Sequence, residues 1–384
     1  MFKRFLPVAL TLLTAALALS ADGAPPLSAA DWDRAAAARY LDARMDAWWS
    51  QAKSLKTGDS ETKCLSCHTA IPYALARPAL RLAMGERAPT AHETRILDTV
   101  RRRVENVGKQ QPFYDHTEDK KIESRGVEAV LNALILTTDE RERGQTMPGA
   151  LTRTAVARLW EVQRPDGAWD WLNFGLEPYE TSDAVFHGAT VAALVAGSPT
   201  GKAASAGATG AAGMDKLRIY LRANLATQRL FNRTWALLAS SRLTDVMAPA
   251  ERDAIVRELE SKQRTGGGWS LVDLGPWRWS RLEAPFAPPG PTDATRLSAP
   301  DAYATALIVY ALKQSGFGNR PAVEKGMAWL RTNQSAVVAG DPASAPWRAH
   351  SLNFEREQGG AKGEAWRRMF MSDLATAFAV LALL

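Results

Sequence analysis

The sequence predicts an all-α protein of one domain, built from six pairs of an outer and an inner helix. Two observations carry this. A unit recurs along the chain: an amphipathic helix with apolar residues three and four apart, a glutamine, a turn rich in Gly or Asp, a tryptophan, and then a second helix. The second helix of each unit is apolar on nearly every face, which requires burial and leaves its amphipathic partner outside. The unit is clearest at ARLWEVQRPDGAW (157–169), VRELESKQRTGGGW (256–269) and GMAWLRTNQ (326–334), the last reaching Trp347 after an insertion.

In chain order, the first stretch is a leader. Lys3 and Arg4 precede an apolar run from Phe5 to Leu19, and Ala18 to Ala21 offer small residues for cleavage. This reads as a secretory signal over 1–21. The competing reading, an uncleaved anchor, needs about 20 apolar residues, and no later run is long enough either. The expectation is an exported chain, periplasmic in a Gram-negative bacterium, with no stable membrane span after cleavage.

The pairs follow. DWDRAAAARYLDARMDAWWSQAKSL (31–55) precedes HTAIPYALARPALRLA (68–83), and AHETRILDTVRRRVENVGKQQ (91–111) precedes ESRGVEAVLNALILT (123–137). The helix and turn of 157–169 precede SDAVFHGATVAALVA (182–196), and MDKLRIYLRANLATQ (214–228) precedes RTWALLASSRL (233–243). The last two inner helices are DAYATALIVYALKQSG (301–316) and SDLATAFAVLALL (372–384). Several inner helices open on Ser or Asp, good N-caps, and continue in Ala and Leu, good helix formers. The Ala/Gly/Ser-rich 196–213 is expected to be a flexible surface loop, and 274–300 is a Pro-rich connection. Neither separates regions of different pattern, so 31–384 reads as one domain.

A net charge of +6 over 384 residues, without a basic run interleaved with aromatics, gives nucleic-acid binding no support. The two cysteines stand together in KCLSCHT (63–69). C-x-x-C-H is the attachment signature of c-type haem, with thiols for the vinyl groups and a histidine for the iron. A disulfide there would close too short a loop to stabilise much. Zinc would need four ligands, and a redox-active pair would expect a βαβ context; a redox disulfide and chance occurrence stay open. The expectation is one covalent haem c on Cys64 and Cys67, with His68 as the axial iron ligand.

Gln163…Gly167-Ala168-Trp169 and Gln263…Gly267-Gly268-Trp269 resemble the QW-repeat α/α toroid family: squalene-hopene and oxidosqualene cyclases and, more distantly, protein prenyltransferase β-subunits. The resemblance spans 31–384. It is partial at Lys325-Gly326…Trp329…Gln334 and poor in the first, second and fourth units. It implies a ring with the QW turns at one end, each glutamine capping a neighbouring helix and stacking on its tryptophan. Joined to the C-x-x-C-H run, it implies an exported squalene-cyclase-like cytochrome. Cyclase chemistry is disfavoured, because the D-x-D-D acid motif is missing and Asp183, Asp301 and Asp373 stand as single acids.

Residues 64–68 occupy the turn of the first pair, where other units carry glutamine and tryptophan, so haem is expected at the toroid rim. His116 and His187 are the candidate sixth ligands, with Met84 and Met147 as further options. Glu123, Arg125, Glu128 and Asp301 read equally as cavity lining or as helix caps. Trp171, Trp277, Trp279 and Trp347, on the insertions, either shield a ligand or plug the rim. The functional expectation is electron transfer or haem-assisted redox chemistry with a periplasmic redox partner or a small apolar ligand. The alternatives are an enzyme acting on an isoprenoid or other apolar substrate in the central cavity, and a non-catalytic scaffold.

Overall fold

The computed structural model describes residues 31–65, 68–277, 298–349, 351–352 and 369–384. The leader expected at 1–21 lies outside these residues, as do Cys67, Trp279 and His350. The outer helices are α1 (Arg34–Gln51), α3 (Ala91–Glu105), α5 (Ala150–Glu161), α8 (Ala208–Asn224), α10 (Pro249–Ser261) and α12 (Pro321–Thr332). The inner ones are α2 (Ala70–Ala83), α4 (Glu118–Glu142), α6 (Ala184–Gly197), α9 (Leu230–Ser240), α11 (Ala302–Leu312) and α13 (Phe370–Leu383). Each inner helix packs on the next, and α13 packs back on α2, so the ring closes. No described helix is long and apolar enough to cross a membrane.

Sequence chemistry sets the helix ends. Asp33 caps α1 by accepting from the Ala36 N–H at 2.8 Å, and Asp301 caps α11 by accepting from Tyr303 and Ala304 at 2.9 and 3.0 Å. Thr90 and Glu93 form a reciprocal capping box on α3. Apolar side chains from all the inner helices merge into one core. Burying them is the main drive for closing the ring.

Three glutamine–tryptophan clasps tie the outer ring together. Gln163 Nε2 donates to the carbonyls of Gly167 and Gly213, both at 3.0 Å, joining its own turn to α8. Gln263 Nε2 does the same with Gly267 and Ala322, both at 2.7 Å, joining its turn to α12. The indoles of Trp169, Trp269 and Trp347 donate to Leu159, Leu259 and Leu330 carbonyls at 2.8, 2.7 and 2.7 Å, satisfying the C-terminal groups of α5, α10 and α12. The turns need a left-handed residue two places before the tryptophan: Gly167 (φ +98), Gly267 (φ +96) and, unusually, Ala345 (φ 64).

Two local expectations change. The stretch 196–213 holds α7 (Pro199–Ala204) and the start of α8. Its alanines favour helix, Ser198 caps the Gly201 N–H at 3.0 Å, and Gly213 lets α8 approach Trp160 closely. In the first unit the turn is a hairpin of β1 (Ser54–Thr57) and β2 (Ser60–Lys63), pinned inside by a 2.7 Å contact between the Thr57 and Thr62 hydroxyls.

Candidate functional site at the loop end of the toroid

Among the described residues, the outer helices lead into their inner partners at one end of the ring. There the hairpin, the 106–117 turn, the 162–183 segment and the start of α13 meet. Residues 173–180 form a small β-bridged loop, with Leu176 and Glu180 paired. It places Tyr179 inward and Glu180 towards Cys64. Tyr179, 3% exposed, touches the rings of His68 (5.9 Å), His187 (4.9 Å) and Phe231 (5.8 Å), and its hydroxyl meets that of Tyr303.

His68 is stacked on Phe370, centroids 5.1 Å apart and planes 15° from parallel. The next residue, Thr69, donates to Asp373 Oδ2 at 2.7 Å. Asp373 Oδ1 accepts from Tyr40 OH and Arg44 Nε, both at 2.7 Å. Burial raises the Asp373 carboxyl above its usual range, while Arg44, Thr69 and Tyr40 oppose the shift. This acid is therefore a packing hub between α1, α13 and the 68–69 turn. Asp301 is a helix cap, and Glu128 is bound to Arg103 at 2.5 Å.

Cys64 is partly buried, and its carbonyl accepts from Trp48 Nε1 at 2.8 Å. Burial first, then the Glu128 and Glu180 carboxylates, push its thiol up to about 12. His187 is 5% exposed among Trp171, Tyr179, Phe231 and Trp235. Burial, helped by the Arg229 charge, lowers its ring to about 3, so it is neutral. His116 is exposed on the 106–117 turn, and Met147 on the turn before α5 is 72% exposed.

The rim outside this core combines aromatic rings and charge. Tyr114 and Phe174 meet edge to face at 5.0 Å. Lys53 Nζ lies 5.8 Å from the Tyr114 ring and Lys120 Nζ 5.0 Å from the Phe174 ring. Lys120 pairs with Glu123 at 2.5 Å, and Glu123 Oε2 also accepts from the Asn173 N–H at 3.1 Å. Deeper in, Arg229 and Glu177, each 3% exposed at the side chain, form an ion pair at 2.6 Å, with Trp277 4.6 Å from the guanidinium.

No family model matches the chain, and no curated protein matches it. Solved structures do match. The unsaturated glucuronyl hydrolase of Bacillus sp. GL1, described as responsible for glycosaminoglycan degradation, aligns at a TM-score of 0.51 and 12% identity, covering 91% of this chain and 95% of that one. A variant of UGL with dGlcA-Glc-Rha-Glc aligns at 0.51 and 13% identity, with the same coverage. At this identity the likeness is one of fold.

These matches overturn the squalene-cyclase-like cytochrome. The two solved structures are of a glucuronyl hydrolase, not of a cyclase or a cytochrome, and the expected haem c and electron transfer are withdrawn. Among the described residues, side chains pack both candidate histidines. The His68 ring is packed by Phe370 and Tyr179, and His187 is enclosed by four aromatic side chains. Among the described residues no three His, Cys, Asp or Glu side chains group as a metal site. The C-x-x-C-H spacing reads as chemistry because attachment motifs are local. What surrounds His68 comes from α13 and the 173–180 loop, more than 100 residues away in sequence.

Sequence reasoning missed the rim pair Tyr114 and Phe174 with Lys53 and Lys120. The aromatic and basic residues are visible, but they lie in three separate connections and at the start of α4, with no shared spacing.

Proposed function

We propose that the loop end of the toroid is a carbohydrate site for acidic sugars and that the chain is a glycoside hydrolase-like enzyme. The observation that carries this is the Tyr114–Phe174 pair with Lys53 and Lys120 set against its two rings, beside Glu123 and Glu180. Aromatic rings offer flat apolar faces for a pyranose, and the ammonium groups suit a uronate carboxylate. Glu123 on α4 and Glu180 on the 173–180 loop are partly buried carboxylates, and general acid–base work needs groups of this type. The solved structures that share the fold support the reading, since one is described as degrading glycosaminoglycan and the other was solved with an oligosaccharide headed by dGlcA. An exported location, from the leader at 1–21, belongs to this proposal, because polysaccharide substrates are met outside the cell.

The test is hydrolysis of unsaturated glucuronyl disaccharides, followed by loss of the ultraviolet absorbance of the conjugated double bond. Activity that falls about a hundredfold or more in Glu123→Gln or Glu180→Gln supports the assignment. No turnover and no saturable binding of acidic oligosaccharides would overturn it.

A further inference from the structure

Along the ring axis lie two narrow voids, each about 40 Å³. They share the walls Leu75, Leu134, Leu194, Trp235 and Phe378, so they form one passage. Its lining runs along α4 from Leu131 to Arg141, which at 1.5 Å per residue makes it about 15 Å long. It is distinct from the Lys53–Lys120 rim, and none of its lining residues belongs to the Tyr114–Phe174 pair.

Two polar atoms on this passage lack a hydrogen-bond partner among the described residues: His187 Nδ1 and Trp235 Nε1. Both side chains are 5% exposed, and their rings meet edge to face at 4.6 Å. Buried polar groups are ordinarily satisfied, so two unsatisfied ones on one cavity call for an absent partner. The indole N–H can only donate, whereas a neutral imidazole offers one donor and one acceptor. A hydroxyl group complements both, because it accepts from the indole and donates to the imidazole. Around these two rings the walls are Ile71, Leu131, Leu134, Val191, Leu374 and Phe378, aliphatic and phenyl surface that a short hydrocarbon chain matches, while Thr137, Thr138, Arg141 and Arg242 line the far end. A void needs roughly 10–15 Å³ to admit one water, so this passage takes a molecule of only a few atoms across.

We propose that the axial passage is a binding site for a small neutral hydroxyl compound, a short straight-chain alcohol in its simplest form, anchored by His187 and Trp235. The proposal stands without the carbohydrate reading and fails separately from it.

The test uses the full chain with ¹⁵N-labelled tryptophan, 1-butanol as the probe and n-pentane, of equal heavy-atom count, as its apolar control. The expected result is a saturable shift of the Trp235 indole N–H with 1-butanol, assigned by its loss in Trp235→Phe. Pentane at equal concentration should give none, and His187→Phe should weaken 1-butanol binding at least tenfold. His187→Gln, which keeps a donor and an acceptor, should retain part of it. Three results would each overturn the proposal: no saturable response to 1-butanol, an equal response to pentane, or unchanged binding in His187→Phe of native circular dichroism. A passage holding water alone gives the first of these.

Discussion

Gln334 binds both backbone groups of Asp33 across 301 residues of sequence: its Oε1 accepts from the Asp33 N–H at 2.8 Å, and its Nε2 donates to the Asp33 carbonyl at 3.1 Å. The last outer helix is thereby fastened to the residue that caps the first. Where Gln163 and Gln263 join consecutive units, Gln334 joins the two ends of the ring, and Trp32 packs on Trp347 at 5.6 Å beside it.

Gln334→Ala therefore removes the seam clasp and leaves two backbone groups of Asp33 without it. The expected loss is about 1–3 kcal/mol, read as a lower urea midpoint. Protection of α1 amides from hydrogen exchange should fall more than that of α8. A midpoint unchanged from the parent chain would show that helix packing alone closes the ring.

Asp373 and Arg44 form a buried pair, with Tyr40 and Thr69 completing the carboxylate's partners. Asp373→Ala leaves the guanidinium buried without its charge partner, and the expected cost is about 3–5 kcal/mol. Asp373→Asn keeps an acceptor for Tyr40 and should cost less. Equal destabilisation by the two variants in chemical denaturation would contradict this account.

His187 gives the fold an acid sensitivity of known sign. Its pKa is lowered to about 3 in the folded chain from an unfolded value of 6.5, chiefly by burial. Between those values the unfolded chain binds a proton that the folded chain does not, so stability is complete above pH 6.5 and drains away as pH falls towards 3. By pH 4 the loss is on the order of 3 kcal/mol. His187→Phe should remove that increment, narrowing its stability difference from the parent as pH drops from 7 to 4. Parallel pH profiles for the two proteins would refute it.

Cys64 should be inert in the folded protein. With its thiol pushed up to about 12, almost no thiolate exists near pH 8, and the thiolate is the nucleophile. Iodoacetamide labelling of Cys64, followed by peptide mass mapping, should track unfolding across a urea series. Fast labelling without denaturant would show that the chain around Cys64 opens readily.

Much of the fold is readable in the chain because it is written in local, repeated chemistry. Trp169 and Trp269 follow Gln163 and Gln263 at one fixed spacing, and each clasp closes within a few residues before reaching its neighbour. The inner helices are recognisable because nothing but burial suits SDLATAFAVLALL. Composition misleads at 196–213, where Ala and Gly suggest flexibility although they serve helix formation and close packing against Trp160.

The candidate site is another matter. C-x-x-C-H is complete within five residues, yet the partners of His68 are Phe370 and Tyr179, which only ring closure brings to it. The rim pair Tyr114–Phe174 and the orphan atoms of His187 and Trp235 likewise come from different units. The sequence by itself determined the repeating helix pairs, the clasps and the all-α class, since periodicity and capping act over a few residues. The tertiary structure alone decided what faces the loop end and the axis, because side-chain environments there are built by helices far apart in the chain.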